Sequence, residues 1–151
     1  MIAAKWVLGT DEQDLTEIRA IRKEVFCEEQ KVPMDIEMDG MDLSAIHLLV
    51  CYDGTPAAAG RIWIENGRFT LGRIAVLKEF RGKRLGDLVV RLLIRKAFDS
   101  GGKRQWLHAQ IPAQKFYEKL GFTPQGDVYE EAGIPHITMV REGDIFGKCQ
   151  N

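Results

Sequence analysis

The sequence predicts a single domain of the α/β (α+β) class, with a mixed, mostly antiparallel central sheet flanked by helices. Three observations carry this. Apolar segments 45–52, 57–64 and 69–76 follow one another with Asp53-Gly54 and Asn66-Gly67 at the joints, and such dipeptides supply the positive φ values of tight hairpin turns. Beyond them, helical and strand periodicities alternate, so a meander passes into units whose helices pack on the sheet. The chain has 151 residues, 45% hydrophobic and 28% charged. That suits one domain over 1–151, able to bury roughly 70% of the surface its unfolded chain would expose.

Residues 2–8 read as a first strand. Thr10-Asp11-Glu12-Gln13 matches a capping box, in which the Thr10 hydroxyl and the Gln13 side chain satisfy amides at a helix start. Leu15, Ile18, Ile21 and Val25, with Arg22 beside them, recur near every 3.6 residues. This helix should end before Val32-Pro33, since proline biases its predecessor out of the helical region. Asp35, Glu37, Asp39 and Asp42 make the next stretch acidic; it reads as a loop or short helix with a solvated face. After the meander, Leu85, Leu88, Val89, Leu92, Leu93 and Ala97 mark an amphipathic helix that closes at Ser100-Gly101-Gly102. A strand over 105–109 and a helix over 113–120, ended by Gly121, come next. A strand then starts at Phe122, a turn falls at Gly133-Ile134-Pro135, and residues 136–141 form the last strand. His108, within a short strand, reads as a core histidine.

Charge and composition exclude several classes. Lysine plus arginine number 21 against 22 acids, a formal net charge of -1. Bulk electrostatic attachment to nucleic acid or an anionic membrane is therefore not expected. No run of 18 apolar residues spans a bilayer, and residues 1–10 lack the pattern of a secretory leader. Cys27, Cys51 and Cys149 are odd in number and lack metal-ligand spacing. They fit a reducing cytoplasm, with no metal site expected.

The most informative segment is Arg81-Gly82-Lys83-Arg84-Leu85-Gly86, which follows a strand and opens a helix. Unpaired N–H groups and a partial positive charge at a helix start attract anions, and glycines let phosphate come close. A solvated basic turn is the plainer alternative. The segment has neither the Walker spacing nor the dinucleotide fingerprint.

Together with Ile74-Ala75-Val76, this segment resembles the acetyl-CoA motif of the GNAT family of N-acetyltransferases, Arg/Gln-x-x-Gly-x-Gly/Ala. The run Phe116-Tyr117-Glu118-Lys119-Leu120-Gly121-Phe122 is similar to that family's second signature. Phe26, Glu29-Gln30-Lys31-Val32-Pro33 and Ala132-Gly133-Ile134-Pro135-His136 are most similar to its ElaA-like subgroup. One departure is Arg84, which stands where the motif has its central glycine.

The resemblance implies the GNAT fold and an acetyl-CoA co-substrate whose pantetheine arm lies between two splayed strands. Ile74, Ala75 and Val76 would offer main-chain groups, and Arg81, Gly82, Lys83, Arg84, Leu85, Gly86 and Asp87 would cradle the pyrophosphate. Gln110, Phe116 and Tyr117 complete the implied cofactor-binding set; Gln110 could equally be a strand-end residue satisfying its own backbone. Tyr117 is the expected catalytic acid, since a phenol can protonate a departing thiolate; a plain core aromatic is the alternative. Candidate bases are Glu29, Glu37, Asp39, His47 and His136, among which Glu29 and His136 are carried forward with Tyr117 as the catalytic set.

The implied acceptor is an amine on a small molecule or a protein; a cationic one would follow if residues 35–42 border its cleft. A homodimer is frequent in the family. Two other readings stay open: an acyl-CoA-binding or sensing module without turnover, and a longer-chain acyltransferase. The second rests on Arg22-Lys23-Glu24-Val25-Phe26, which resembles the start of acyl-homoserine-lactone synthases.

Overall fold

The structure, a computed structural model, describes residues 1–145; Cys149 lies outside the described residues. Seven strands form one sheet in the order β1-β2-β3-β4-β5-β7-β6. The strands are β1 (Ile2–Leu8), β2 (Ile46–Tyr52), β3 (Thr55–Glu65), β4 (Arg68–Val76), β5 (Arg104–Gln110), β6 (Thr123–Glu131) and β7 (Ile134–Glu142). Every neighbouring pair is antiparallel except β4 and β5. That exception follows from the connection, because α3 (Leu85–Asp99) crosses between them and parallel neighbours need such a crossover. The three-stranded meander stands as expected, with Asp53 and Asn66 at φ 49° and 51° before Gly54 and Gly67 at 82° and 76°.

The two faces of the sheet bury different helices. Leu48, Ile62, Leu71, Leu107 and Met139 meet Leu85, Val89, Leu93 and Ala97 of α3, the stripe that the helical period marks out. On the other face, α1 (Glu12–Arg22) sets Leu15, Ile18 and Ile21 on Val7, Leu49 and Ala59.

Two expected boundaries are corrected. The cap of α1 is Asp11, whose carboxylate accepts the Asp14 N–H at 3.2 Å, so Thr10 lies outside the motif. The last turn is Ala132-Gly133, at φ 55° and 75°, and Ile134 and Pro135 already belong to β7. Beyond Arg22 the chain widens into a π-helical stretch, Lys23–Glu29, a departure from the 3.6-residue period that often marks functional sites.

The acidic stretch is solvated only in part: Asp35 and Asp39 stay exposed, whereas Glu37 and Asp42 are buried. α2 (Met34–Glu37) and the turn after it place Glu37 and Asp42 inside, against arginines of α1 and the sheet. Arg22, 1% exposed, donates Nε to Glu37 at 2.7 Å and Nη1 to Asp42 at 2.8 Å. Arg61, fully buried, donates to Asp42 at 2.8 Å and Asp39 at 3.0 Å, and Arg73 reaches Glu37 and Asp39. Burial alone would raise the Asp42 carboxyl. The hydrogen bonds and charge of Arg22, then of Arg61, overcome that and bring it from 3.8 to about 2.

The depressed value makes Asp42 stabilising in full above its unfolded pKa, and that stabilisation is lost as pH falls through the folded one. The difference corresponds to roughly 2 kcal/mol, lost between about pH 4 and pH 2. Urea unfolding across that window should therefore show a steeper loss for the native chain than for Asp42→Asn. Parallel curves would show that Asp42 is not the titrating group.

Candidate active site

β4 and β5 pair only at Thr70 with Trp106 and Leu71 with Leu107, although β4 runs on to Val76 and β5 to Gln110. Past those pairs the strands part. Arg73 takes φ 49°, and β4 slips register against β3 between Ala59 and Arg61, which turns its end away from β5. Ala75 pairs with Ala59, and the Leu77 N–H donates to the Ala57 carbonyl. By strand alternation the main-chain groups of Ile74 and Val76 then face the gap. Ala75 itself packs in the core under α1, so it holds the strand in place.

The gap opens into a cleft of about 640 Å³ that Ile74, Gln110 and Tyr117 share with Trp63, His108 and His136. Past Val76 the chain passes a single 3-10 turn (Lys78–Phe80) and enters α3 through Arg81 to Arg84. Asp11 caps α1, whereas no side chain caps α3. Its first amides are therefore without an intrahelical or side-chain acceptor. Gly82 and Arg84 both have positive φ, 85° and 63°. A Cβ on Gly86 would meet Val76 and Phe116 at 3.7 and 3.8 Å, ordinary contacts. That is why the motif tolerates alanine there.

Arg84 thus occupies a left-handed position that glycine fills without strain, at a cost of about 1 kcal/mol. Arg84→Gly should raise unfolding stability by about 0.5–1 kcal/mol, read by thermal melting. A loss of stability would mean that the arginine side chain contributes more than its backbone strain removes.

Arg81, Lys83 and Asp87 of this loop are already engaged. Arg81 grips Glu29 through both Nη atoms at 2.8 and 2.7 Å and donates Nε to the Val76 carbonyl at 3.0 Å. Lys83 sits 4.9 Å above the Tyr52 ring, and Asp87 accepts from Arg91 at 2.8 Å. The Leu85 side chain is core, leaving its main chain to the loop. Glu29, a candidate base, stands at the loop and not among the residues that line the cleft, and the Arg81 hydrogen bond holds its carboxyl below the ordinary range.

Tyr117 lies on α4 (Gln114–Glu118), which follows a 3-10 turn (Ile111–Ala113) where one continuous helix over 113–120 was expected. Its ring packs edge-on against Phe116 and Phe122 at 5.1 and 5.9 Å. Burial pushes the phenol up to about 12, so it stays protonated at neutral pH. Gln110 donates its amide to the Gln30 Oε1 at 2.8 Å, tying β5 to the π-helical end across the cleft and not to its own backbone.

His136 is buried on β7, with Nδ1 2.7 Å from the Ile134 carbonyl and its ring stacked on Tyr129 at 6.0 Å. His108 departs from the core reading, because its strand face turns to the cleft. There it meets Glu65 at 3.0 Å through Nε2 and Tyr129 at 2.7 Å through Nδ1. Neither Glu65 nor Tyr129 stands out in the sequence; only the register of β3, β5 and β6 brings them to His108. His47 is fully buried, and desolvation lowers its pKa and keeps it neutral, away from the cleft.

Glu37 and Asp39 do line the cleft, but Arg22, Arg61 and Arg73 neutralise them. The expected attraction for cationic acceptors loses its source there. Among the described residues, no group of three or more His, Cys, Asp or Glu is placed to hold a metal ion, and no helix is long and apolar enough to cross a membrane.

The sequence model of the Acetyltransferase (GNAT) family matches residues 14–122. The uncharacterized N-acetyltransferase YjcF of Bacillus subtilis is 36% identical over 140 residues, covering 91% of this chain and 99% of that protein. Escherichia coli ElaA is 35% identical over 128 residues, covering 81% of this chain and 83% of that protein. A crystal structure of an acyl-CoA N-acyltransferase from Pseudomonas aeruginosa superposes with a TM-score of 0.84 at 30% identity, covering 93% of this chain and 99% of that one.

Proposed function

We propose, since this chain belongs to the GNAT family of acetyltransferases and to its ElaA-like subgroup, that it transfers the acetyl group of acetyl-CoA to an amine bound in the cleft. The transfer is direct, within a ternary complex. Acyl transfer from a CoA thioester is the family's chemistry; the acetyl group, the acceptor and the residue roles are our reading. The observation that carries it is a coincidence of three features: the β4/β5 gap, the protonated Tyr117 that lines the cleft at that gap, and the uncapped start of α3 beyond the end of β4.

The pantetheine arm adds to the main-chain groups of Ile74 and Val76, with Gln110 beside it and Phe116 under the loop. The pyrophosphate takes the amides of the 81–87 loop, where the left-handed Gly82 and Arg84 turn the backbone into a cradle. Arg81, Lys83 and Arg84 supply charge, and Arg81 can exchange Glu29 for phosphate. The amine nitrogen attacks the thioester carbon, the C–S bond breaks, and the Tyr117 hydroxyl protonates the departing sulfur. The nitrogen then returns a proton to Tyr117.

Phe26, Val32, Ile36 and Trp63 give the acceptor side of the cleft an apolar wall. With the neighbouring acids neutralised, the reading favours a primary amine on an apolar body, free or displayed by a protein.

The test pairs calorimetry of CoA and acetyl-CoA binding with thiol release over primary amines, repeated with butyryl- and octanoyl-CoA. Release with acetyl-CoA, weakening as the acyl chain grows, is the expected result. Faster release with octanoyl-CoA would move the assignment to longer chains. CoA binding with no release from any amine would leave a sensing module in its place.

A further inference from the structure

The acyltransfer reading leaves one step without a residue, the removal of a proton from an acceptor that arrives as an ammonium ion. Of the bases expected from sequence, Glu29 is held by Arg81, Glu37 and Asp39 by buried arginines, His47 is sealed in the core, and His136 is buried with Nδ1 on the Ile134 carbonyl and its ring covered by Tyr129. The cleft nonetheless carries a hydrogen-bonded chain of three titratable side chains from three different strands. Glu65 ends β3, His108 lies on β5 and Tyr129 on β6. The pairing of His108 with Thr138, and of Tyr129 with His136, sets them on one sheet face.

The donors in this chain can be assigned. A carboxylate only accepts, so the 3.0 Å contact between Glu65 and Nε2 puts the neutral ring's proton on Nε2. Nδ1 then carries the lone pair, and the Tyr129 hydroxyl donates to it at 2.7 Å, with the Thr138 hydroxyl at 3.3 Å. Having placed its single proton on His108, Tyr129 offers the cleft only oxygen lone pairs. Such an oxygen repels a donor-poor ligand and receives an ammonium N–H. Its ring is braced on His136, itself fixed by the Ile134 carbonyl.

We propose that Tyr129, His108 and Glu65 form a proton relay that deprotonates the acceptor amine before attack; this rests on the acyltransfer reading above. The ammonium N–H bond breaks toward Tyr129 Oη as the Tyr129 hydroxyl proton passes to His108 Nδ1. The products are a neutral amine, an intact phenol and an imidazolium whose Nε2–H faces the Glu65 carboxylate. No free phenolate forms, which suits a phenol that burial raises above its ordinary value. After transfer the imidazolium releases the proton to solvent, so one proton leaves per amide formed. Tyr129 is the catalytic group in contact with substrate; His108 and Glu65 act through it.

The test uses two acceptors of nearly one shape. 2-Phenylethylamine is protonated at pH 7, whereas O-benzylhydroxylamine, with oxygen in place of a CH2, arrives neutral and needs no base. In His108→Gln, kcat/KM for 2-phenylethylamine should fall about 100-fold and that for the neutral analogue stay within about threefold. Acetyl-CoA affinity should be unchanged, and raising the pH should restore the lost rate. Glu65→Gln, which keeps the ring in place with a weaker partner, should show the same selectivity at about tenfold. Equal losses on both amines would overturn the relay alone. No thiol release from the native enzyme with either amine would overturn the acyltransfer reading, and the relay with it.

Discussion

Tyr117→Phe should lower thiol release about 100-fold at saturating acetyl-CoA while leaving acetyl-CoA affinity within about threefold. The substitution removes one oxygen and keeps the ring that packs on Phe116 and Phe122, so the fold and the cofactor gap persist. The missing proton then comes from water, and a loss of that size corresponds to about 2.7 kcal/mol in the barrier. A pKa near 12 adds a second expectation. The hydroxyl stays protonated across the neutral and mildly alkaline range, so no decline in rate there should trace to its ionisation. A phenylalanine variant with native turnover would remove Tyr117 from the chemistry. Weakened acetyl-CoA binding with unchanged turnover would assign it to cofactor contact alone.

Local chemistry made much of the fold legible. Asp-Gly and Asn-Gly turns, the 85–97 stripe and the glycine stops at Gly101 and Gly121 are short-range signals, and each lies where it was read. The errors fall where tertiary contacts overrule local preference. Glu37 and Asp42 look solvated in sequence because charged residues usually are, yet both are buried. Their partners Arg22, Arg61 and Arg73 come from α1, β3 and β4, 15 to 36 positions away. A charged residue such as Arg22 set within an apolar helical stripe was the available signal, since burying its charge demands acidic partners.

The site divides in the same way. The loop proposed for phosphate and Tyr117 lie in contiguous motifs, so sequence presents them whole. Arg84 shows what a motif leaves out: it departs from the consensus residue but keeps the left-handed backbone that the consensus residue serves. Glu65, His108 and Tyr129 share no local pattern. A period-2 reading of β5 puts His108 on the same face as Trp106 and Gln110, and nothing short of strand register says which face holds the cleft.

The largest effect on stability is expected at Arg22. Arg22→Met keeps the length of the side chain but removes the donors to Glu37 Oε2, Asp42 Oδ1 and the Glu37 carbonyl. Breaking a buried ion pair from one side typically costs about 3–5 kcal/mol, because the remaining charges stay desolvated. Arg61 and Arg73 still touch Asp42 and Glu37, which places the expectation near about 3 kcal/mol. Against a typical domain stability of about 5–15 kcal/mol that is a large share, read as a lower urea midpoint at unchanged slope.

Arg22→Lys should recover only part, since one ammonium cannot bridge two carboxylates as the planar guanidinium does. Adding Glu37→Gln to Arg22→Met should restore at least about 1 kcal/mol relative to the sum of the single changes, the mark of direct coupling. Additive losses would instead make Arg22 a packing residue. Because Ile36, Glu37 and Asp39 line the cleft proposed for the acceptor, the same variant should raise the acceptor KM far more than the acetyl-CoA Kd. On the proposed reading the cofactor rests on β4, β5 and α3, and Arg73 is the member of the Arg22 cluster that stands on β4.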